Sequence, residues 1–241
     1  MENNAYVTGA DRGLGFALVE ELLKRGWHVF AGSYLSEKKE LAALAEKFPG
    51  ALRVIKLDIS DNASVKAAAA EISSRTPKLN LVINNAGIAM LHDREATIFD
   101  EIDYDEILQT FNVNALGTLR VTKSVLNLLL NADDKRLVNI TSLAGSVGLL
   151  TRKNQIGYTM SKAAGNMQTK LLYNSLKPKG VKVFAVHPGW MHTQLFGDPE
   201  LMKDAPYKPH EAAALLLDFT LNAEQETDHV FFGNDGKPME Y

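Results

Sequence analysis

The fold of this chain is decided by Thr8-Gly9-Ala10-Asp11-Arg12-Gly13-Leu14-Gly15. This stretch lies between an apolar run at residues 5–8 and a segment of helical period at residues 14–25. Gly9 permits a sharp turn, Gly13 lets backbone approach a pyrophosphate, and Gly15 permits close packing of helix on strand. The N–H groups of the first helical turn have no partner within the helix and can bind an anion. The stretch therefore predicts a strand, a tight turn and a helix whose N-terminus can hold phosphate.

The rest of the chain continues this alternation of short apolar runs and longer segments of helical period. The apolar runs lack polar alternation, as expected of strands buried on both faces. The strand candidates are residues 5–8, 28–32, 52–57, 81–84, 136–141, 181–187 and 229–232. The helix candidates are residues 14–25, 37–48, 63–75, 104–130, 156–176 and 210–221. The pattern predicts one α/β domain over residues 1–241, with a doubly wound seven-stranded parallel sheet and helices on both faces.

The composition excludes several classes of function. Of the 241 residues, 46% are apolar and 23% are charged, and the net charge of −3 does not indicate a nucleic-acid partner. The sequence contains no cysteine, which excludes disulfides, thiolate nucleophiles and iron–sulfur clusters. Metal ligands would have to come from six scattered histidines and from carboxylates. We therefore expect no metal site.

The N-terminus and the hydropathy pattern predict a location. Residues 1–4 lack the basic start and the apolar stretch of a secretory signal. The longest uninterrupted apolar run, residues 212–217, is far shorter than the ~20 residues that span a bilayer. The sequence thus predicts a cytoplasmic protein with no membrane partner.

Three polar side chains are candidates for acid–base chemistry. Tyr158 and Lys162 lie one turn apart on a predicted helix, so their side chains share a face. A phenol is a weak acid near neutral pH, but a neighbouring ammonium stabilises the phenolate and lowers its pKa. Ser142 follows a central strand, where its hydroxyl can hydrogen-bond the same substrate oxygen. The three residues predict a site that exchanges a proton with a carbonyl or alcohol oxygen.

The glycine spacing T-G-x-x-x-G-x-G resembles the cofactor turn of the short-chain dehydrogenase/reductase family. Six further segments agree with that family in the same order. They are Asp58-Ile59, Asn84-Asn85-Ala86-Gly87, Asn112-Val113-Asn114, Ile140-Thr141-Ser142, Tyr158-Thr159-Met160-Ser161-Lys162 and Pro188-Gly189-Trp190-Met191-His192-Thr193. The chain is similar to the carbonyl-reductase and C-factor-like members, and the resemblance implies a Rossmann-like domain that reduces aldehydes or ketones.

The resemblance also implies catalytic roles. Tyr158 is expected to be the general acid in reduction and the base in oxidation, while Ser142 orients the carbonyl. Lys162 is expected to tune Tyr158 and to bind the nicotinamide ribose. Asn114 is expected to hold the water that replenishes the proton.

NADP(H) is the expected cofactor, with NAD(H) as a weaker alternative. NAD-dependent relatives carry an acidic residue at the end of the second strand, where this chain has the neutral Ser33. Arg12 matches a position where NADP-preferring relatives carry a basic residue, and a guanidinium suits a phosphate. Lys38 and Lys39 can serve the same purpose or form an exposed helix face. The full set of expected cofactor contacts is Gly9, Arg12, Gly13, Leu14, Gly15, Ser33, Asp58, Ile59, Asn85, Ala86, Gly87, Tyr158, Lys162, Pro188, Gly189, Met191 and Thr193.

The substrate walls are expected in the segments after strands four, five and six. A proline-containing segment at residues 190–209 is interpreted as a lid, and Trp190 joins Ser142 and Tyr158 as an expected substrate contact. His187 is expected to be structural. Asp58 has a second interpretation, as the cap of the helix that follows it.

The long helices at residues 104–130 and 156–176 resemble those that form dimers or tetramers in the family, so we expect a homo-oligomer.

Two other functions stay open on the sequence. Ala144-Gly145-Ser146-Val147-Gly148 is one residue away from the nucleophile elbow G-x-S-x-G of serine hydrolases, but residues 149–153 show no helix start, which that motif requires. A sensor or signalling protein that binds NADP(H) without catalysis would need the glycine turn, but would not need Ser142, Tyr158 and Lys162.

Overall fold

Parallel strands form one sheet at the centre of the molecule. The computed structural model describes residues 3–35, 39–225 and 227–241. The strands within them are β1 (Asn4–Thr8), β2 (His28–Ser33), β3 (Leu52–Lys56), β4 (Leu81–Asn84), β5 (Lys135–Ile140), β6 (Val181–His187) and β7 (Phe231–Gly233). All neighbours pair in parallel, in the order β3-β2-β1-β4-β5-β6-β7. The expected seven-stranded parallel sheet is confirmed.

The helices agree with the predicted segments to within about two residues. They are α1 (Gly13–Lys24), α2 (Lys39–Lys47), α3 (Asn62–Ser73), α4 (Leu91–Glu95), α5 (Tyr104–Phe111), α6 (Thr118–Leu130), α7 (Ile156–Leu176) and α8 (Pro209–Asn222). Glu37 and Lys38, at the start of the predicted second helix, lie outside the described residues. The short α4 was not predicted, because a single helical turn shows no periodic pattern.

The predicted helix at residues 104–130 is interrupted by a π-helical segment, Asn112–Gly117, between α5 and α6. Such widened turns occur frequently at functional sites, and this one contains Asn114. The last strand begins later than predicted, because β7 pairs with β6 only from Phe231 onward.

Each face of the sheet carries its own apolar core. Along β1, the side chains of Ala5 and Val7 pack in the core under α1, α2 and α8, while Tyr6 packs in the core under α3, α6 and α7. Leu18 and Leu22, one helical turn apart on α1, are fully inaccessible to solvent. Both faces are covered, which confirms the doubly wound arrangement.

The sheet order reverses between β1 and β4, and this reversal places the site. In an open parallel sheet, ligands bind outside the carboxyl ends of the strands at that reversal. The glycine turn follows β1 there, and the segments that follow β4, β5 and β6 end at the same edge. No helix in the described part of the chain has the combined length and apolar character needed to cross a bilayer.

Candidate active site

A cavity of about 530 Å³ opens at the carboxyl ends of β4, β5 and β6. It brings together many of the residues that the sequence predicts. Those in its wall are Leu14, Asn85, Gly87, Ser142, Tyr158, Lys162, Pro188, Gly189, Trp190, Met191 and Thr193. The predicted residues outside the wall are Gly9, Arg12, Gly13, Gly15, Ser33, Asp58, Ile59, Ala86 and Asn114. A second depression, of about 700 Å³, lies at the opposite edge of the sheet and contains none of the predicted site residues.

The three candidate acid–base residues converge in this cavity. Tyr158 and Lys162 share one face of α7, and the Lys162 Nζ lies 5.6 Å from the centroid of the Tyr158 ring. Lys162 Nζ also donates a hydrogen bond of 3.1 Å to the carbonyl oxygen of Ile140, at the end of β5. Ser142 follows Ile140 by two positions, so β5 positions both the serine and the lysine. Tyr158 is 9% exposed.

Burial dominates the proton affinities of the site. It raises the pKa of Tyr158, against the opposing effects of a hydrogen bond with Ser142 and of the Arg152 charge. Burial also lowers the pKa of Lys162 to about 8. The expected lowering of the Tyr158 pKa by Lys162 is therefore not observed in this structure. At neutral pH the tyrosine is protonated, which is the form that can donate a proton.

Asn114 is held rigidly by its own side-chain hydrogen bonds. Its Oδ1 accepts from the N–H of Ile88 at 2.8 Å, and its Nδ2 donates to the carbonyl oxygen of Ile88 and to Ser161 Oγ. Both amide hydrogens are thus committed to protein groups. A water molecule held by Asn114 would have to donate to its carbonyl oxygen.

The glycine turn has the shape that a dinucleotide requires. A Cβ at Gly9 would lie 2.7 Å from the Ala86 Cα, and a Cβ at Gly15 would clash with the Gly9 carbonyl oxygen. Arg12 directly precedes α1, and its side chain makes no capping hydrogen bond to the helix. The first turn contains no acidic residue. The helix N-terminus therefore remains suited to an anion, and the residues present fit the pyrophosphate of a dinucleotide.

A carboxylate occupies the end of β2, contrary to the sequence-based interpretation. Asp11, in the glycine turn, accepts a hydrogen bond from the Ser33 hydroxyl and from the backbone N–H groups of Tyr34 and Leu35. Asp11 is distant from Ser33 in sequence, and only the parallel pairing of β1 and β2 brings the two together. The Ser33 hydroxyl thus already has acceptors in Asp11 and the Leu35 carbonyl.

The Arg12 side chain contacts the segment after β6. Its guanidinium is exposed and donates a hydrogen bond of 3.2 Å to Gln194, in the segment after β6. The contact links the glycine turn to the predicted lid. Lys38 lies outside the described residues, and Lys39 is exposed at the start of α2.

Asp58 does not cap the helix that follows it. Its Oδ1 accepts from the N–H and the hydroxyl of Ser60, whereas Asp61 caps α3 by accepting from Ala63 and Ser64. The capping interpretation of Asp58 is wrong, because α3 begins at Asn62, three residues later than a cap at Asp58 would require.

The segment at residues 190–209 contributes residues to the wall of the cavity. Its two ends are joined by hydrogen bonds between Trp190, His192 and Tyr207. The residues of this segment that line the cavity are Trp190, Met191, Thr193, Leu195, Phe196, Leu201 and Met202. Trp190 is 49% exposed, so much of its indole is accessible from solvent. His187 was expected to be structural, but it lines the cavity, and burial lowers its pKa to about 4, which keeps it neutral.

The hydrolase interpretation fails on the position of Ser146. This residue is 1% exposed, and its hydroxyl accepts a hydrogen bond from Leu149. No helix follows it until α7 begins at Ile156. A nucleophile elbow needs an exposed hydroxyl on a turn that opens directly into a helix.

Asp93 is a residue that the sequence analysis missed. It lies on α4 and is buried, and its two carboxylate oxygens accept from the N–H groups of Gly157 and Tyr158, each at 2.9 Å. A residue far away in sequence thus caps the helix that carries Tyr158 and Lys162. One of the two capped N–H groups is that of Tyr158 itself, so Asp93 contacts the first turn of this helix directly. No sequence pattern marks a cap supplied from another element.

Replacing Asp93 by alanine is expected to lower the free energy of unfolding by about 2 kcal/mol, because two buried N–H groups lose their acceptor. We expect kcat to fall about tenfold or more while KM changes less, since the tyrosine is misplaced in the transition state. D93N, which keeps one acceptor, should retain a larger part of kcat. Denaturant unfolding and steady-state kinetics measure both effects.

The matched control is D61A, which removes the cap of α3, a helix that does not line the cavity. It should cost stability without lowering kcat. A kcat of wild-type size in D93A, measured where the protein is folded, would rule out a positioning role.

Comparisons with known proteins agree with this geometry. The profile of the short chain dehydrogenase family matches residues 3–203. The chain is 31% identical over 244 residues to 1-hydroxy-2-glutathionyl-2-methyl-3-butene dehydrogenase of Rhodococcus sp. (strain AD45), covering 99% of this chain and 100% of that protein. It is 36% identical over 131 residues to the C-signal of Myxococcus xanthus, covering 54% of this chain and 76% of that protein.

Among solved structures, the NADPH-bound carbonyl reductase from chicken fatty liver superposes with a TM-score of 0.88 at 31% identity, covering 100% of this chain and 94% of that one. The carbonyl reductase Sniffer of D. melanogaster gives a TM-score of 0.89 at 26% identity, with both chains fully covered.

Proposed function

Since the chain belongs to the short-chain dehydrogenase family of oxidoreductases, we propose that it is an NADP(H)-dependent carbonyl reductase that acts on aldehydes or ketones. The observation that carries the proposal is the convergence of Ser142, Tyr158 and Lys162 in one cavity beside the glycine turn. The likeness to an NADPH-bound carbonyl reductase supports it. The cytoplasmic location expected from the sequence stays a prediction.

In this proposal each side chain has a defined task at the substrate oxygen. Ser142 and Tyr158 hydrogen-bond the carbonyl oxygen and orient it, and Trp190 contacts the substrate from the side of the lid. Tyr158 donates its proton as the oxygen gains negative charge, and Lys162 stabilises the phenolate that remains. When bound, the nicotinamide supplies the hydride to the carbonyl carbon. Asn114 belongs to the path by which Tyr158 is reprotonated.

The glycine turn and the loops beside it would hold the cofactor. The residues assigned to it are Gly9, Arg12, Gly13, Leu14, Gly15, Ser33, Asp58, Ile59, Asn85, Ala86, Gly87, Tyr158, Lys162, Pro188, Gly189, Met191 and Thr193. Arg12 is assigned to the 2′-phosphate of NADP(H). Its guanidinium donates one hydrogen bond to the neutral Gln194 and has five N–H donors in all.

The test of this function is a panel of aldehydes, ketones and quinones, assayed by the absorbance of NADPH. The proposal expects turnover of several members. Tight binding of NADPH without oxidation by any member would favour the sensor alternative.

The cofactor preference gives a separate expected result. R12Q should raise the Kd for NADPH about tenfold or more and change that for NADH little, because one charged hydrogen bond to the phosphate is lost. D11N should have the opposite effect on the ratio of the NADPH Kd to the NADH Kd and lower it, since it removes a negative charge near the expected phosphate. Fluorescence titration with both nucleotides measures the ratio.

K39Q is the control for R12Q, because it removes an exposed positive charge at the start of α2. If it shifts the NADPH/NADH ratio as much as R12Q does, Arg12 has no special role. Equal affinities for the two cofactors, unchanged in R12Q, would contradict the preference for NADP(H).

We also propose that the protein is a homodimer or homotetramer formed through α5, α6 and α7. These helices expose apolar side chains, including Leu108 at 66%, Met167 at 64% and Leu171 at 60%. M167E should therefore shift sedimentation toward the 26.5 kDa monomer. F99E, at an apolar residue that is 95% exposed outside these helices, should not. A wild-type protein that sediments only as a monomer at micromolar concentration would contradict the proposal.

A further inference from the structure

The cavity that contains Ser142 and Tyr158 has a cationic wall with no role assigned so far. Two arginines, Arg94 and Arg152, line it in addition to the buried Lys162. Among the described residues, no aspartate or glutamate lines the cavity. Arg94 lies on α4, after β4, and Arg152 lies in the loop between β5 and α7. Both arginines therefore belong to segments expected to contact the substrate.

Arg152 carries a positive charge without a negative partner. Its Nη1 donates to the amide oxygen of Gln155, a neutral group, and no carboxylate of the described residues pairs with it. Arg25, in contrast, lies 2.9 Å from Glu21 and 2.8 Å from Asp218. A guanidinium with only a neutral partner remains available to an anionic ligand.

The charge of Arg152 acts on the reacting end of the cavity. It lowers the pKa of Tyr158 and the pKa of His187, so both groups lie within its electrostatic reach. His187 stays neutral, and its buried Nδ1 has no hydrogen-bond partner among the described residues. The wall beside Tyr158 is thus positively charged, and it also contains a polar atom, the His187 Nδ1, that no described residue hydrogen-bonds.

Arg94 is less available than Arg152. It pairs with Glu95, and its guanidinium carbon lies 5.6 Å from the centroid of the Phe196 ring. Phe196, Leu195 and Met202 form an apolar wall on the lid side. The cavity therefore combines an apolar surface with one uncompensated guanidinium.

We propose that the substrate carries an anionic oxygen group, a carboxylate or a phosphate, joined to its carbonyl by an apolar portion, and that Arg152 binds this group. The inference rests on the proposed carbonyl reductase function. The anionic group takes no part in the reaction: the carbonyl carbon gains a hydride from NADPH, the oxygen gains a proton from Tyr158, and NADP⁺ and the alcohol leave. A planar guanidinium fits either anion with two parallel hydrogen bonds.

Two pairs of aldehydes test the proposal with NADPH. One pair is 4-formylbenzoate and its methyl ester, and the other is 4-formylphenyl phosphate and 4-methoxybenzaldehyde. The measured quantity is the ratio of kcat/KM for the anionic member to that for the neutral member, in the wild type, R152Q and K153Q. Lys153 is the matched control, because it is adjacent, exposed and cationic but does not line the cavity.

We expect R152Q to lower the ratio about tenfold or more for at least one pair, as the loss of a charged hydrogen bond implies, and K153Q to leave it unchanged. The pair that responds identifies the anion as a carboxylate or a phosphate. An equal ratio in all three proteins, or an equal fall in both variants, would overturn the inference while leaving the reductase function intact.

Binding of the alcohol products provides a readout that does not depend on turnover. Calorimetric titration of 4-(hydroxymethyl)benzoate and 4-(hydroxymethyl)phenyl phosphate should show weaker binding to R152Q than to K153Q, for the same anion that the kinetics identify. If no aldehyde is reduced by the wild type but this difference in binding is present, the anion site stands and the reductase function fails. Absence of the difference overturns the anion site.

Discussion

Replacing Tyr158 by phenylalanine is expected to lower kcat for carbonyl reduction by about 10²–10⁴-fold, because the substitution removes the only group assigned to proton donation. The aromatic ring would still fill its place against Ala89 and Ala144, so the fold and the cavity should be preserved. The Kd for NADPH is therefore expected to stay within about threefold of the wild type. Steady-state kinetics and fluorescence titration measure the two quantities.

Tyr173 provides the matched control for this variant. It is also a buried tyrosine of α7, and its hydroxyl donates a hydrogen bond of 2.7 Å to Asp228; neither residue lines the cavity. Y173F should therefore change stability and leave kcat near the wild-type value. Full activity in Y158F would show that another group supplies the proton.

Replacing Gly145 by alanine is the second substitution with a large expected effect. A Cβ at this position would lie 2.5 Å from the carbonyl carbon of Lys162 and 2.6 Å from its oxygen. The turn after β5 therefore packs directly on the backbone of α7. Alanine would force the two apart, at a cost of about 3 kcal/mol in unfolding free energy. Because the turn carries Ser142 and the helix carries Tyr158, we also expect kcat to fall at least about tenfold.

The control for Gly145 is Gly165→Ala on the same helix. A Cβ there would meet only the Thr141 Cγ2 at 3.6 Å, an ordinary van der Waals distance, and alanine favours the helix. G165A should therefore keep both its stability and its kcat. If G145A unfolds at the same denaturant concentration as G165A with equal activity, the close contact between turn and helix does not constrain the site.

The sequence predicted the fold well because its signals are local. Strands buried on both faces appear as apolar runs, and the glycine turn has a spacing that few other structures need. The helix at residues 156–176 was predicted with its observed limits, and the residues that face the cavity from it, Tyr158 and Lys162, followed from helical spacing. The family resemblance is confirmed by the comparisons.

The features that escaped prediction depend on contacts between distant segments. Asp93 caps a helix 64 residues further along the chain, and Asp11 reaches the end of β2 only because β1 and β2 are neighbours. Gly145 was considered only as part of a hydrolase motif, although its closest contact is with α7. The role proposed for Arg152 likewise depends on its position in the cavity wall, which the sequence alone does not show.

The catalytic assignment is tested best by following one atom. The wild-type protein is incubated with NADPH carrying deuterium at nicotinamide C4 in each stereochemical position, together with the aldehydes described above. The alcohol is then analysed by mass spectrometry. We expect one deuterium on the former carbonyl carbon from a single stereoisomer, and almost none within the same time in Y158F. NADPH that binds but transfers no deuterium to any substrate, or transfer that is equally fast in Y158F, would contradict the assignment.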